Sequence, residues 1–409
     1  MSKEKKLIPG LRFPEFEKCG KWEKTSLNQI SSSIFDGTHQ TPKYTDDGIP
    51  FFSVENIVSG SKNKFISRED YLYATRNNKA EFGDVLITRI GSIGIPKVVD
   101  WDYEFSIYVT LAVIKKSDKF DSNYLGSYIQ SIRFQKEIRR RSLLKAAPQK
   151  INMNELRECE VLLPPKYQEQ QKIASCLSSL DELIAAHNDK LEALKDHKKG
   201  LMQNLFPQEE KKVPNYRFPE FEKDGEWVEK PLGQAAEFVN GRAYKKEELL
   251  STGKYRVLRV GNFFTNNEWY YSDLELDENK YCDAGDLLYA WSASFGPRIW
   301  KEEKVIYHYH IWKVLEKEGI DKNFLFVLLD FETENIKAAQ ANGLGMLHIT
   351  KSGIESWESI IPPTKKEQKK IASYLLTMDE LINTLAEKIE QLQQHKKGLM
   401  QGLFPKIEH

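Results

Sequence analysis

The sequence predicts an α+β protein in which two mixed α/β domains are joined by two long heptad helices that pair as an antiparallel coiled coil. Three observations predict it. The segment from Pro164 to Pro207 returns from Pro362 to Pro405, without a gap and at an offset of 198 residues, with about 26 of 44 positions identical. Both copies keep one apolar phase: Ile173, Leu177, Leu180, Ile184, His187, Leu191, Leu194, Lys198, Leu201 and Leu205 in the first; Ile371, Leu375, Met378, Ile382, Leu385, Ile389, Leu392, Lys396, Leu399 and Leu403 in the second. Steps of four and three alternate, which is the period of a coiled coil. The rest of the chain holds short runs rich in β-branched and aromatic residues that do not alternate regularly with helices, which favours α+β over a parallel doubly wound sheet. The boundaries follow: a first variable domain over 1–163, a first repeated helix over 164–207, a second variable domain over 208–361, and a second repeated helix with its tail over 362–409.

LRFPEFEKCGKW (Leu11 to Trp22) opens the first domain and returns as YRFPEFEKDGEW (Tyr216 to Trp227) before the second. Phe51 to Val54, Val85 to Thr88 and Val109 to Ile114 predict strands, as do Val257 to Val260, Leu287 to Trp291 and Val305 to Val314. Gly83-Asp84 and Gly285-Asp286 precede strands and read as turns. Asn123 to Arg141 and Asn323 to Gln340 have helical spacing. Pro164-Pro165 and Pro362-Pro363 give each long helix a rigid start, and Phe206-Pro207 and Phe404-Pro405 end it. About 38 residues at 1.5 Å rise make a rod of roughly 55 Å. Lys198 and Lys396 interrupt the seams, so the pairing is expected to loosen there. Two seams in one chain pair most simply with each other; the alternative is that each pairs with a helix of another protein.

Composition narrows the function classes. The chain has 409 residues, with 40% hydrophobic and 29% charged, normal for globular domains with real cores. No apolar run approaches the ~18 residues that span a bilayer. MSKEKKLIPG has no apolar signal-peptide core, so a cytoplasmic protein without a membrane partner is expected. Cys19, Cys159, Cys176 and Cys282 form no CxxC pair and read as reduced thiols. With 60 basic and 60 acidic residues the net charge is zero, which argues against a histone-like surface but not against a local strip. Arg133 to Lys150 is such a strip, with Arg133, Lys136, Arg139, Arg140, Arg141, Lys145 and Lys150 against one acid, Glu137; the bland reading is a solvated helix face.

Motifs for chemistry are missing. There is no GxxxxGK[ST] loop, no GxGxxG, no GxSxG elbow and no Asn-Pro-Pro-aromatic tetrapeptide. His308-Tyr309-His310 sets two imidazoles on one strand, but no nearby carboxylate or Cys completes a ligand set, so no metal is expected. A near two-fold repeat suits a near-symmetric partner such as duplex DNA.

Two variable domains, each followed by a helix carrying PP-x3-EQ-x-KIAS, DELI and HKKGLMQ-x-LFP, with an RFPEF opening before each domain, resemble the specificity subunit of type I restriction-modification systems. The resemblance covers almost the whole chain; the variable domains share the layout only. It implies a non-catalytic DNA reader in which each variable domain is a target recognition domain for one half of a bipartite, asymmetric target. It also implies two docked methyltransferase subunits, with motor-nuclease subunits joining through the complex; alone, with its docking surfaces exposed, the subunit is expected to self-associate. S-adenosylmethionine, ATP and Mg would be bound by those partners, leaving no cofactor for this chain. A different reading, from the layout alone, is an adaptor with two protein-binding domains on a coiled-coil spacer.

Candidate contacts lie in polar loops. Thr38, His39, Gln40, Lys43 and Tyr44 precede a strand and resemble loops of this family; an ordinary turn is the plain alternative. Arg89 and Ser92 follow a strand, where Arg89 either reaches a guanine or phosphate or is held in a salt bridge. Asn240, Arg242, Tyr244 and Lys245 stand in the second domain where the Gly37-Thr38-His39 loop stands in the first, and Trp291 and Ser292 stand where Arg89 does, with packing favoured for Trp291. Arg140 comes from the basic strip. Lys145, Gln149 and Lys150 form a third region, faced by His348; Gln149 suits adenine, and Lys145, Lys150 and His348 suit phosphate.

Overall fold

The computed structural model describes residues 7–208, 211–264, 266–292, 294–340 and 349–406. The chain divides into two compact units, Met1–Asn188 with Glu387–His409, and Asp189–Ala386. Each unit therefore holds one variable domain and one half of each long helix, Tyr167–Leu205 and Lys365–Leu403. Among the described residues no helix is long and apolar enough to cross a membrane.

In the first unit a four-stranded antiparallel sheet runs Ile34–Asp36, Leu111–Ile114, Val85–Thr88, Pro96–Val98. Its two central strands are buried on both faces, and the period of two sorts their side chains. Val85, Ile87, Ala112 and Ile114 pack on the helical side with Tyr124 and Tyr128. Leu86, Leu111 and Val113 pack on the other side with Phe52 and Phe105. A second small sheet orders Tyr44–Thr45, Phe65–Ile66, Ile49–Phe52 and Ser106–Ile107, the last pair parallel. The second unit repeats this plan. One sheet runs Ala236–Asn240, Ile311–Glu316, Leu287–Ser292, Ser294–Ile299, and the other Tyr270–Ser272, Tyr255–Leu258, Val305–Tyr307, Tyr281–Cys282. Each domain is closed at its base by an antiparallel pair: Glu23–Ser26 with Glu160–Leu163, and Val228–Pro231 with Glu358–Ile361.

The repeated motifs at the two ends of each domain are halves of one contact. Arg12 donates through Nε and Nη2 to both oxygens of Glu169, each at 2.7 Å, and Trp22 Nε1 donates to the same carboxylate at 3.3 Å. Arg217 and Trp227 repeat this on Glu367 at 2.7, 2.8 and 3.1 Å. The neighbouring glutamines accept the backbone N–H that starts the domain's main helix: Gln170 from Asp121 at 2.9 Å and Gln368 from Asp321 at 2.8 Å. This is why RFPEF, Trp, Glu and Gln recur together.

The heptad seam is where the sequence places it, but its lysines do not loosen it. Lys198 reaches Asp379 at 2.7 Å and Lys396 reaches Asp181, so the lysine of each copy pairs with the first residue of the other copy's DELI. These two contacts are one contact made twice in an antiparallel pair. Other expectations shift by sterics and capping. Asn123 to Arg141 is two helices, Ser122–Gln130 and Ile132–Arg141, because Ser131 leaves helical geometry and caps the second through its hydroxyl on Phe134 N–H. Val305 to Val314 is two strands split by a turn at His308–His310, and Val109-Thr110 also forms a turn ahead of Leu111–Ile114.

Candidate nucleic-acid interface

At the end of the first sheet, Thr38 N–H donates to Ile107 O and Val109 N–H to Thr38 O, both at 3.0 Å. The approach is so close that a Cβ on Gly37 would lie 2.1 Å from Ile107 O. The second unit is built identically: Arg242 N–H donates to Tyr307 O and Tyr309 N–H to Arg242 O, both at 3.0 Å, and a Cβ on Gly241 would lie 2.3 Å from His308 O. The clash is with backbone, which cannot swing away. Gly37→Ala is therefore expected to destabilise the first domain by about 1–3 kcal/mol, read from urea denaturation.

Arg89 organises the first site. It is 7% exposed. Its Nη1 donates to Asp36 Oδ2 at 2.9 Å and to Val109 O at 3.0 Å, and its Nε to Ile151 O at 3.3 Å. Burial pulls the guanidinium below its usual pKa while Asp36 pulls it back. Arg89 thus joins three loops instead of projecting toward a partner, and of its two sequence readings the salt-bridged one describes this structure. Its backbone holds a fourth contact, accepting Ile151 N–H at 2.9 Å. Trp291 occupies the same backbone position, donating N–H to His310 O and accepting from Ile349 N–H. Its ring lies 5.6 Å from Trp312 at 18°, and its Nε1 donates to Tyr309 O at 2.8 Å. A cation hub in one domain is an aromatic stack in the other.

Around this hub the first unit exposes Gln40, Lys43, Ser92, Lys145, Gln149 and Lys150, whose side chains have no partner among the described residues. Thr38 turns its hydroxyl to Gln40 O, and His39 Nε2 donates to Asp36 Oδ2 at 3.1 Å while the ring stays exposed. Tyr44 is 43% exposed with Lys64 over its ring. The 143–150 loop is tied to the strand-end turn by Gly91 N–H on Gln149 O at 2.8 Å. The basic strip is less cationic than its sequence: Glu160 holds Arg133, Glu137 holds Arg140, and Glu137 and Glu155 hold Arg141.

In the second unit Asn240 accepts from Trp312 Nε1 at 2.6 Å, and Arg242 forms a two-pronged pair with Glu248 at 2.9 and 2.8 Å. Tyr244 stacks on His308 and buries its hydroxyl without a partner among the described residues. Lys245 projects outward and Ser292 is buried. His348 lies outside the described residues. The sequence reading missed Asp36 as the anchor of the first loop and the turns 108–110 and 308–310 as its floor; the shared Asp/Asn-Gly before each loop was the available signal.

The model of the type I restriction modification DNA specificity domain matches residues 20–196 and again 224–394. This chain belongs to the type I restriction-modification DNA specificity family. Its relatives include a chain assigned as the MjaX type I restriction enzyme specificity subunit of Methanocaldococcus jannaschii, 27% identical over 94% of this chain and 92% of that one. The MjaVIII specificity subunit of the same organism is 28% identical over 60% of this chain and 61% of its own length. The fold matches the crystal structure of a type I restriction-modification S subunit from M. genitalium, with a TM-score of 0.66 at 16% identity over 98% of this chain and all of that one. A chain from a structure of type I system assembly matches with a TM-score of 0.55 at 13% identity, over 94% and 97%.

Within this specificity-family scaffold, His308 is pushed down to about 4 by burial, with His310 and Arg259 adding repulsion. The sign is set by the unfolded chain, whose imidazole takes a proton below about 6.5. The folded domain refuses that proton until about 4. The second domain is therefore expected to lose stability as pH falls from 6.5 to 4 and not to regain it. His308→Gln should flatten that slope in urea titrations across the window.

Proposed function

We propose that this chain is the DNA-reading, non-catalytic subunit of a type I restriction-modification complex in the cytoplasm. Each variable domain reads one half of a bipartite, asymmetric target, and the repeated helices dock two methyltransferase subunits, with motor-nuclease subunits joining through the complex. S-adenosylmethionine, ATP and Mg belong to those partners. One observation carries the reading: both domains use the same backbone clamp, at Gly37 and Gly241, to present different side chains. A fixed scaffold with exchangeable projecting groups is what direct base readout needs. In the first domain Lys43, Lys145 and Lys150 suit phosphates and Gln40 and Gln149 suit base edges, with Arg89 positioning them. Docking on the helices is supported by Leu183 and Leu381, the leucines of the two DELI segments, which are 42% and 48% exposed.

The test is a salt titration of binding to random duplex and to the methylated target of the host. Affinity for both should fall linearly on a log–log plot with a slope of about −0.9 per phosphate contacted, and the target should bind more tightly at every salt. Duplex binding that is absent or indifferent to salt would favour the adaptor reading instead.

A further inference from the structure

The first unit carries a groove of about 560 Å³ between the helix Ile132–Arg141 and the last turns of Lys365–Leu403. Ile132, which is 54% exposed, and Met400 form apolar ground in it. The charged residues lining it are all cations. Two of them are already engaged, Arg133 with Glu160 and Lys396 with Asp181. Lys136, Lys397 and Lys406 are exposed and have no ion-pair partner among the described residues.

The second unit shows the same place filled. There the helix Lys322–Gln340 runs unbroken and lays Phe331 on Phe206, ring centroids 4.5 Å apart at 12°. Asp330 approaches Lys198 at 3.6 Å, beside Asp379. In the first unit Gln130 and Ser131 stand where Asp330 and Phe331 stand, counting from the equivalent Asp121 and Asp321. The break at Ser131 removes both the aromatic filler and the acid. What the second unit supplies from its own chain, one apolar side chain and a carboxylate, is what the first unit lacks.

The geometry points to a docking groove for an acidic segment of a partner protein, its aliphatic or aromatic anchor seated on Ile132 and Met400 and its carboxylates on Lys136, Lys397 and Lys406. This rests on the reading that the repeated helices dock partner subunits, and adds that the two docking ends are unequal. A nucleic-acid backbone would use the lysines but has no use for the apolar ground between them.

Random dodecapeptides displayed on phage are selected on the full chain and counter-screened on Lys136→Glu/Lys397→Glu, both exposed positions; circular dichroism confirms the variant's fold. Selected peptides should combine Asp or Glu with Leu, Phe or Trp, and bind the variant about tenfold or more weakly. Ile132→Asp, which leaves the lysines intact, should lose the same peptides. Selection of no peptide that distinguishes the variants, or of peptides without acids, overturns the groove. Random-duplex affinity is measured on the unaltered chain and on Ile132→Asp, whose lysines are intact, and should not change; a loss there without peptide selection would make the groove part of the nucleic-acid contact and also overturn it. Failure of the DNA-reading proposal shows separately, as absent duplex binding by the unaltered chain.

Discussion

Glu169→Ala is expected to cost the first unit about 3–5 kcal/mol, a large part of the stability of a domain. The side chain is fully buried and serves three donors, two on Arg12 and one on Trp22. Its removal leaves a guanidinium that is 6% exposed with Gly20 O as its one remaining hydrogen-bond partner among the described residues, and an indole N–H with none among them. The loss comes mainly from the charge left behind, so removing both charges, as Glu169→Met with Arg12→Met, should recover much of it. Glu367→Ala should do the same to the second unit through Arg217 and Trp227. Urea denaturation of the single and paired variants checks both statements. A single-variant loss below about 1 kcal/mol would show that water reaches the pair.

Exchange of residues 31–159 for the matching stretch of another specificity-family chain should change one half of the methylated target and leave the other half as it was. The junctions are favourable because they keep the Leu27–Ile30 helix and both strands of the basal pair Glu23–Ser26 and Glu160–Leu163. They also keep Glu169, Gln170 and the helix that follows, so the graft meets the contacts it evolved against. The loops around Arg89 all lie inside the exchanged stretch, including its partners at Asp36, Val109 and Ile151. The positions of methylated bases in the host genome report the outcome. A change in both halves would mean the two domains do not read independently.

Much of the frame was legible because it is written in one dimension. A duplicated segment is visible without coordinates, and a period of 3.5 fixes which residues of a helix share a face. Strands such as Val85–Thr88 emerge where β-branched residues are bounded by Gly-Asp turns. The failures cluster where a partner far along the chain decides. Lys198 reads as a defect in its own seam, and its acid lies in the other copy, at Asp379. The run from Asn123 to Arg141 reads as one helix, and Ser131 divides it by capping. The basic strip reads as seven cations against one acid until folding brings Glu155 and Glu160 beside it.

The twofold repeat, the two long helices, the class of the domains and the family can be read from residue order, because each is carried by local spacing or by identity between copies. Which polar residues remain for a partner was settled by folding. Arg89 and Lys43 are both cations in polar loops, yet Asp36 and two carbonyls enclose the first while the second has no partner among the described residues. That difference depends on contacts between residues 20 to 62 positions apart, Arg89 with Val109, Asp36 and Ile151. Such contacts exist once the sheet has closed, and nothing in the local pattern around either residue encodes them.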